Sequence, residues 1–200
     1  EPGQDILLAT RTGMAVRFGE ADVRSMGRVS TGVKGIQLRG DDVVVDMVVI
    51  GDDPASLLTL CEHGYGKRTP STEYPRIRRG GKGVIDIKTS ERNGPVVSSK
   101  LVAEDNEIMI VTQNGIMIRL PVEGISEIGR NTQGVRVINV DENDRVIDMT
   151  RVVAEDEGDA MRWFYEGLPA GEAIPYAVWL GPLAWWLSLI LAVYFVCFCL

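Results

Sequence analysis

The chain has 200 residues, 45% of them hydrophobic, and a formal net charge of −7. That length supports one well-cored domain, or one domain with an appendage, and the acidic average argues against a nucleic-acid binder that is basic throughout. Cys61, Cys197 and Cys199 give no disulfide framework, and His63 has no second Cys/His pair at zinc-ligand spacing, so neither an oxidised scaffold nor a zinc module is indicated. No signal-peptide pattern opens the chain, and a start at Glu1 rather than Met leads us to expect a piece of a longer protein.

The charge is unevenly spread. From Lys67 to Lys100 the lysines and arginines are opposed only by Glu73, Asp86 and Glu91, whereas acids gather at Asp41–Asp42, at Asp52–Asp53 and in Glu155-Asp156-Glu157. Such asymmetry predicts a cationic face with acidic edges or tails.

In chain order, Ile6 to Ala9 is apolar, Arg11-Thr12-Gly13 turns, and Met14 to Phe18 alternates, which predicts strand, tight turn, strand. A polar connection leads to Gly32-Val33-Lys34-Gly35, a third strand over Ile36 to Leu38, the turn Arg39 to Asp42, and a fourth strand over Val43 to Val49. The order then recurs. Leu57 to Leu60, the turn Glu62-His63-Gly64, and Tyr65 to Arg68 are followed by a basic glycine loop, then Val84 to Ile87 and Val96 to Val102. A third copy runs through Ile108 to Val111, the Asn114-Gly115 hairpin signal, Ile116 to Leu120, the loop Arg130 to Gly134, Val135 to Val140, and Val146 to Val153.

The hairpin glycines Gly13, Gly64 and Gly115 recur at a constant interval of 51 residues, each followed four residues later by Arg17, Arg68 or Arg119. Each copy also closes its long loop with a glycine before a strand, at Gly35, Gly83 and Gly134, preceded by Lys34, Lys82 and Gln133. A four-strand period near 50 residues is the signature of propeller-like blades. Cations repeated once per blade predict a discontinuous belt, which suits a long polyanion better than a small molecule.

Chemistry concentrates in Arg76-Ile77-Arg78-Arg79-Gly80-Gly81-Lys82-Gly83. Glycines let the backbone approach a ligand closely, and exposed cations around them suit phosphate. It is not a nucleotide-cradling P-loop, because Arg76 stands where the first glycine is required and Gly83 where the metal-binding hydroxyl belongs. The paired acids Asp41-Asp42 and Asp52-Asp53 read as turn residues rather than a magnesium site.

These residues carry a family resemblance. His63-Gly64-Tyr65-Gly66-Lys67-Arg68-Thr69, Tyr74, Arg79-Gly80-Gly81-Lys82-Gly83-Val84-Ile85 and Glu91-Arg92-Asn93-Gly94, together with Ile128-Gly129-Arg130-Asn131-Thr132-Gln133-Gly134-Val135, resemble the C-terminal domain of DNA gyrase A, a type IIA topoisomerase protein. The likeness covers about Gln4 to Val153. It implies an all-β fold, a partial β-pinwheel of about three four-stranded blades over roughly 4–51, 55–103 and 105–153, and duplex DNA wrapped on a basic perimeter. The family's heptad box is matched by 77–83 except that Ile77 stands at its glutamine. The candidate DNA-binding residues are Arg17, Arg28, Lys34, Lys67, Arg68, Arg76, Arg78, Arg79, Lys82, Arg119 and Arg130. The family's cleavage tyrosine lies in a domain without counterpart here, so the module is expected to do no chemistry alone and to need no cofactor. The resemblance implies ATP and Mg²⁺ in the holoenzyme, partnership with gyrase B and a second copy of gyrase A, and a cytoplasmic, nucleoid-associated setting. The alternatives are the matching domain of topoisomerase IV and a propeller-type protein-interaction scaffold tethered to a membrane.

After an acidic, irregular linker over 154–172, residues 173–200 carry no charge. A run that long and apolar predicts a membrane-spanning helix, with Trp179, Trp185 and Trp186 suited to an interface.

Overall fold

The computed structural model describes residues 3–52 and 55–152. The expected linker over 154–172 and apolar helix over 173–200 lie outside the described residues. Among the described residues, no helix is long and apolar enough to cross a membrane.

Among the described residues there are eleven strands: β1 (Asp5–Thr10), β2 (Met14–Gly19), β3 (Val44–Ile50), β4 (Ser56–Cys61), β5 (Tyr65–Pro70), β6 (Val84–Ile85), β7 (Val96–Val102), β8 (Glu107–Thr112), β9 (Met117–Pro121), β10 (Val135–Arg136) and β11 (Val146–Val152). Short 3-10 turns at Glu20–Asp22, Ser71–Glu73 and Val122–Gly124 end the second strand of each copy. They obey the same 51-residue interval as the hairpin glycines.

The strands form three antiparallel sheets with the orders β3-β1-β2-β6, β10-β5-β4-β7 and β11-β8-β9. Two are four-stranded, and the third has three strands among the described residues. The short third strand of a copy pairs with the sheet of the copy before. Thus β6 adds to β2 through Met14↔Ile85, and β10 adds to β5 through Arg136↔Tyr65. In the first copy, the expected strand over Ile36 to Leu38 pairs with no sheet among the described residues. It lies instead beside the basic loop, where Gln37 N donates to Gly81 O at 2.8 Å.

The hairpin glycines explain why this exchange fits. Gly13 and Gly64 hold φ near +81° and +77°, the left-handed region that an L side chain disfavours. They also leave room for the incoming strand. Asp86 N donates to Gly13 O at 2.9 Å and Val137 N to Gly64 O at 2.9 Å. A Cβ on Gly64 would stand 2.5 Å from Ile138 O, and one on Gly13 would collide with Ile87 O. Gly115 keeps φ +84° but has nothing within 4 Å of an added Cβ, because no described strand crosses there.

The apolar core sits between successive sheets. Leu7, Ala9, Ala15, Leu57 and Tyr74 pack between the first and second, with Val48 and Ile50. Leu58, Leu60, Ile108, Ile110, Val122 and Met149 pack between the second and third. Strand periodicity divides the side chains: Leu57 looks back to the first sheet while Leu58 and Leu60 look forward. The last strands of the copies line up side by side, β3 against β7 and β7 against β11. The opposite, outer edges therefore belong to β6, β10 and β9.

Candidate nucleic-acid interface

Two loops run along the second strands of the first two copies, β2 and β5, in equivalent ways. Ile77 N donates to Arg17 O at 2.8 Å, and Ile128 N donates to Arg68 O at 2.9 Å. Parallel bridges join Arg17 to Arg76 and Arg68 to Glu127. The 76–83 loop is thus strapped to the outer side of β2 before its chain continues into β6. Gly80 and Gly83 turn it with φ of 76° and 73°.

On this loop Arg78 and Lys82 are exposed. Neither forms an ion pair among the described residues. Arg79 is half-buried; its Nε donates to Asp22 O at 2.8 Å and its Nη1 to Lys34 O at 3.2 Å. That fixes the loop against the first copy's polar connection, so exposed Lys34 lies beside it, while exposed Arg28 lies on the same connection. Arg76 is exposed but shares Asp5 with Arg17, at 3.3 Å. In the next copy, Arg130 Nη1 donates to Ile85 O at 3.1 Å and its guanidinium sits 5.8 Å from the Tyr74 ring centroid. Arg130 thus touches the outer strand that the 76–83 loop feeds, and the two basic loops adjoin.

The repeated arginines hold structure together instead. Arg17 donates to Asp5 Oδ2 at 2.8 Å, to Ser71 O at 2.8 Å and to Tyr74 O at 3.4 Å. Arg68, only 8% exposed, donates from Nε to Ile125 O at 2.7 Å. Tyr74 and Ile125 are equivalent positions, so each arginine latches its own sheet to the next copy. Arg119 has no such partner among the described residues; it is exposed and donates to Glu107 Oε2 at 2.7 Å. The belt read from the 51-residue interval is therefore largely consumed by these bonds.

Lys67 also departs from expectation, because it is 0% exposed and presents nothing to a ligand. Its ammonium donates to Thr69 Oγ1 at 2.7 Å, Gly129 O at 3.1 Å and Arg130 O at 3.0 Å, and lies 3.5 Å from Asp86 Oδ1. Asp86 in turn accepts from Tyr74 at 2.6 Å and from Thr59 at 2.7 Å. Burial lowers the Lys67 pKa, with Asp86 opposing the shift. Lys67 clamps the loop that carries Arg130 from beneath. Two cations outside the expected set, Arg92 and Arg136, converge on Tyr65. Arg136 stands where the other copies carry Gln37 and Ile85, so the repeat spacing does not single it out. No group of three or more His, Cys, Asp or Glu suited to a metal ion occurs among the described residues.

Repeated antiparallel sheets that exchange a strand with their neighbours and carry basic loops on their outer edges define a β-pinwheel, a relative of the propeller. A family model described as the DNA gyrase C-terminal domain, beta-propeller, matches residues 4–50, 55–103 and 106–152, and the chain belongs to that family. A second model, for a family of unknown function, matches residues 145–200. The DNA gyrase A protein of Haloquadratum walsbyi is 45% identical over 159 residues, covering 78% of this chain and 19% of that protein. Its Salmonella typhimurium counterpart is 44% identical over 160 residues, covering 78% and 18%. The chain thus spans about a fifth of the length of these curated relatives. A solved DNA gyrase A C-terminal domain superposes with a TM-score of 0.70 at 29% identity, covering 76% of this chain and 51% of that one. The C-terminal domain of DNA topoisomerase IV superposes with a TM-score of 0.74 at 25% identity, covering 82% and 51%.

Proposed function

We propose that residues 4–152 bind duplex DNA along the outer edges of successive sheets and bend it there. In the full-length protein, this wrapping would present a DNA segment to the cleaving domain and support ATP-dependent negative supercoiling. The module itself supplies no bond-breaking group in this reading. Gyrase B, a second copy of gyrase A, ATP and Mg²⁺ act in the holoenzyme, in the cytoplasm and at the nucleoid.

One observation carries the reading: Arg78 and Lys82 stand exposed on a glycine-turned loop that is strapped to β2 and leads into the outer strand β6, with no ion pair among the described residues. Arg130, Lys34 and Arg28 extend the cationic rim, with Arg79 shaping it. No α-helix among the described residues is offered to a groove, so affinity comes from phosphate neutralisation with little sequence preference.

The test is binding of the chain to linear duplex at two salt concentrations. Arg78→Glu with Lys82→Glu is expected to weaken binding on every sequence and to flatten the salt dependence by about one unit of slope per lost contact. Unchanged affinity and slope would favour the protein-scaffold reading. The topoisomerase IV reading rests on structural likeness; the basic glycine loop supports the gyrase reading. Supercoiling of relaxed plasmid by the full-length enzyme separates the two.

A further inference from the structure

Tyr65 opens β5 and faces Arg136 of β10 directly across the strand pair. Arg136 Nη2 donates to the Tyr65 phenol at 2.7 Å, and its Nη1 donates to Asn139 Oδ1 at 3.1 Å. A second guanidinium, that of Arg92, sits 4.7 Å from the Tyr65 ring centroid, while that of Arg136 sits 5.2 Å from it. The two cations therefore lie within one Debye length of each other, about 10 Å at 0.1 M salt.

Like charges repel at that range, and an aromatic ring offsets only part of the repulsion. Neither guanidinium has an ion-pair partner among the described residues. Both arginines are exposed, whereas Tyr65 is buried, so the ring is a fixed base for two exposed guanidiniums. The Tyr65 phenol lies below its ordinary pKa, drawn down first by the Arg136 hydrogen bond and then by Arg92. A positive field with no ion-paired acid among the described residues suits an anion. Paired planar guanidiniums match the oxygens of phosphate better than single ammonium groups do.

We infer that Arg92 and Arg136, spaced by Tyr65, form a further phosphate clasp for duplex DNA on the second sheet. The inference rests on the DNA-wrapping reading above. Duplex is favoured over an acidic peptide because Arg136 lies on the outermost strand, six residues after Arg130 on the same outer segment. The clasp therefore continues the rim toward the hairpin end, where His63 Nδ1 meets Arg92 O at 3.3 Å.

The experiment measures binding of the full chain to a linear duplex between about 50 and 200 mM salt, the range in which phosphate contacts separate. It compares wild type, Arg92→Gln/Arg136→Gln, Tyr65→Phe and Arg78→Gln/Lys82→Gln. The double clasp variant is expected to lose on the order of tenfold in affinity near 0.15 M salt and about two units of salt slope. Tyr65→Phe keeps the ring but frees Arg136, and is expected to lose part of the affinity with little change of slope. If the glycine-loop pair weakens binding and the clasp pair leaves affinity and slope unchanged, the clasp is overturned while the DNA reading stands. If neither pair matters, both are overturned. If the clasp variant loses binding to a poly-glutamate peptide but not to DNA, the occupant is an acidic protein segment and the inference fails. Circular dichroism melts of each variant distinguish lost contacts from lost fold.

Discussion

Replacing Lys67 with Met tests how the second and third copies are joined. Lys67, Asp86 and Tyr74 are 0%, 1% and 1% exposed, so no water screens them. The substitution removes the donors to Thr69, Gly129 O and Arg130 O and leaves the Asp86 carboxylate without its cation. Breaking a buried pair from one side costs about 3–5 kcal/mol, because one charge remains buried and unpaired. Removing the whole network is a different perturbation. The third copy builds the same spot from apolar residues that pack together, Ile118, Ile125 and Val137. The isosteric triple Lys67→Met, Tyr74→Phe, Asp86→Leu is therefore expected to recover most of the loss, since apolar replacements of buried ion pairs are neutral or stabilising by about 1–4 kcal/mol. Urea unfolding followed by far-UV circular dichroism measures both. Tryptophan fluorescence does not serve, because all four tryptophans lie between Trp163 and Trp186, outside the described residues. A single variant within about 1 kcal/mol of wild type would refute the reasoning. So would a triple variant as unstable as the single.

Three further outcomes follow from the geometry. Gly115→Ala is expected to cost about 1–2 kcal/mol through backbone strain alone, whereas Gly64→Ala costs more, because its Cβ also meets Ile138 O at 2.5 Å; equal losses in urea unfolding would remove the strand-exchange explanation. Arg68→Met leaves Ile125 O without its donor and is expected to cost about 1–3 kcal/mol while leaving the salt slope of DNA binding unchanged; a flattened slope would return Arg68 to the DNA surface. Asp42 and Asp144 both lie below the ordinary aspartate value. For Asp42, burial pushes upward but hydrogen bonds from Thr12, Thr10 and Val43 prevail; for Asp144, the Thr112 hydrogen bond leads, against burial and alongside backbone donors. A depressed carboxyl contributes stability above its unfolded value, about 3.9, and loses it as pH falls through the folded value. Acid unfolding of Asp42→Asn/Asp144→Asn should therefore be less steep below about pH 4 than that of wild type; an identical acid profile would contradict the assignment.

Much of this molecule is written in short-range patterns. The hairpins, the 51-residue interval and the glycines at Gly13, Gly64 and Gly115 depend on alternation and turn chemistry, which neighbouring residues settle among themselves. The exposed cations Arg78 and Lys82 are legible for the same reason: a loop with three glycines and Ile77 as its one apolar residue has little to bury. Arg17, Arg68 and Lys67 are different. In sequence they are indistinguishable from surface cations, because the carbonyls that hold all three and the carboxylate that holds Lys67 lie on the following loop or the following copy. Which sheet a two-residue strand joins is equally invisible locally, since Val84–Ile85 is too short to specify a partner. The packing of one copy against the next decides it, by aligning Gly13 O with Asp86 N. Arg92 and Arg136 meet at Tyr65 only after that exchange has occurred. The chain by itself thus determined the repeat, its turns and its glycine-rich basic loop. Only the tertiary structure decided which of the remaining cations are drawn inward, because burial is a property of the neighbour and not of the residue.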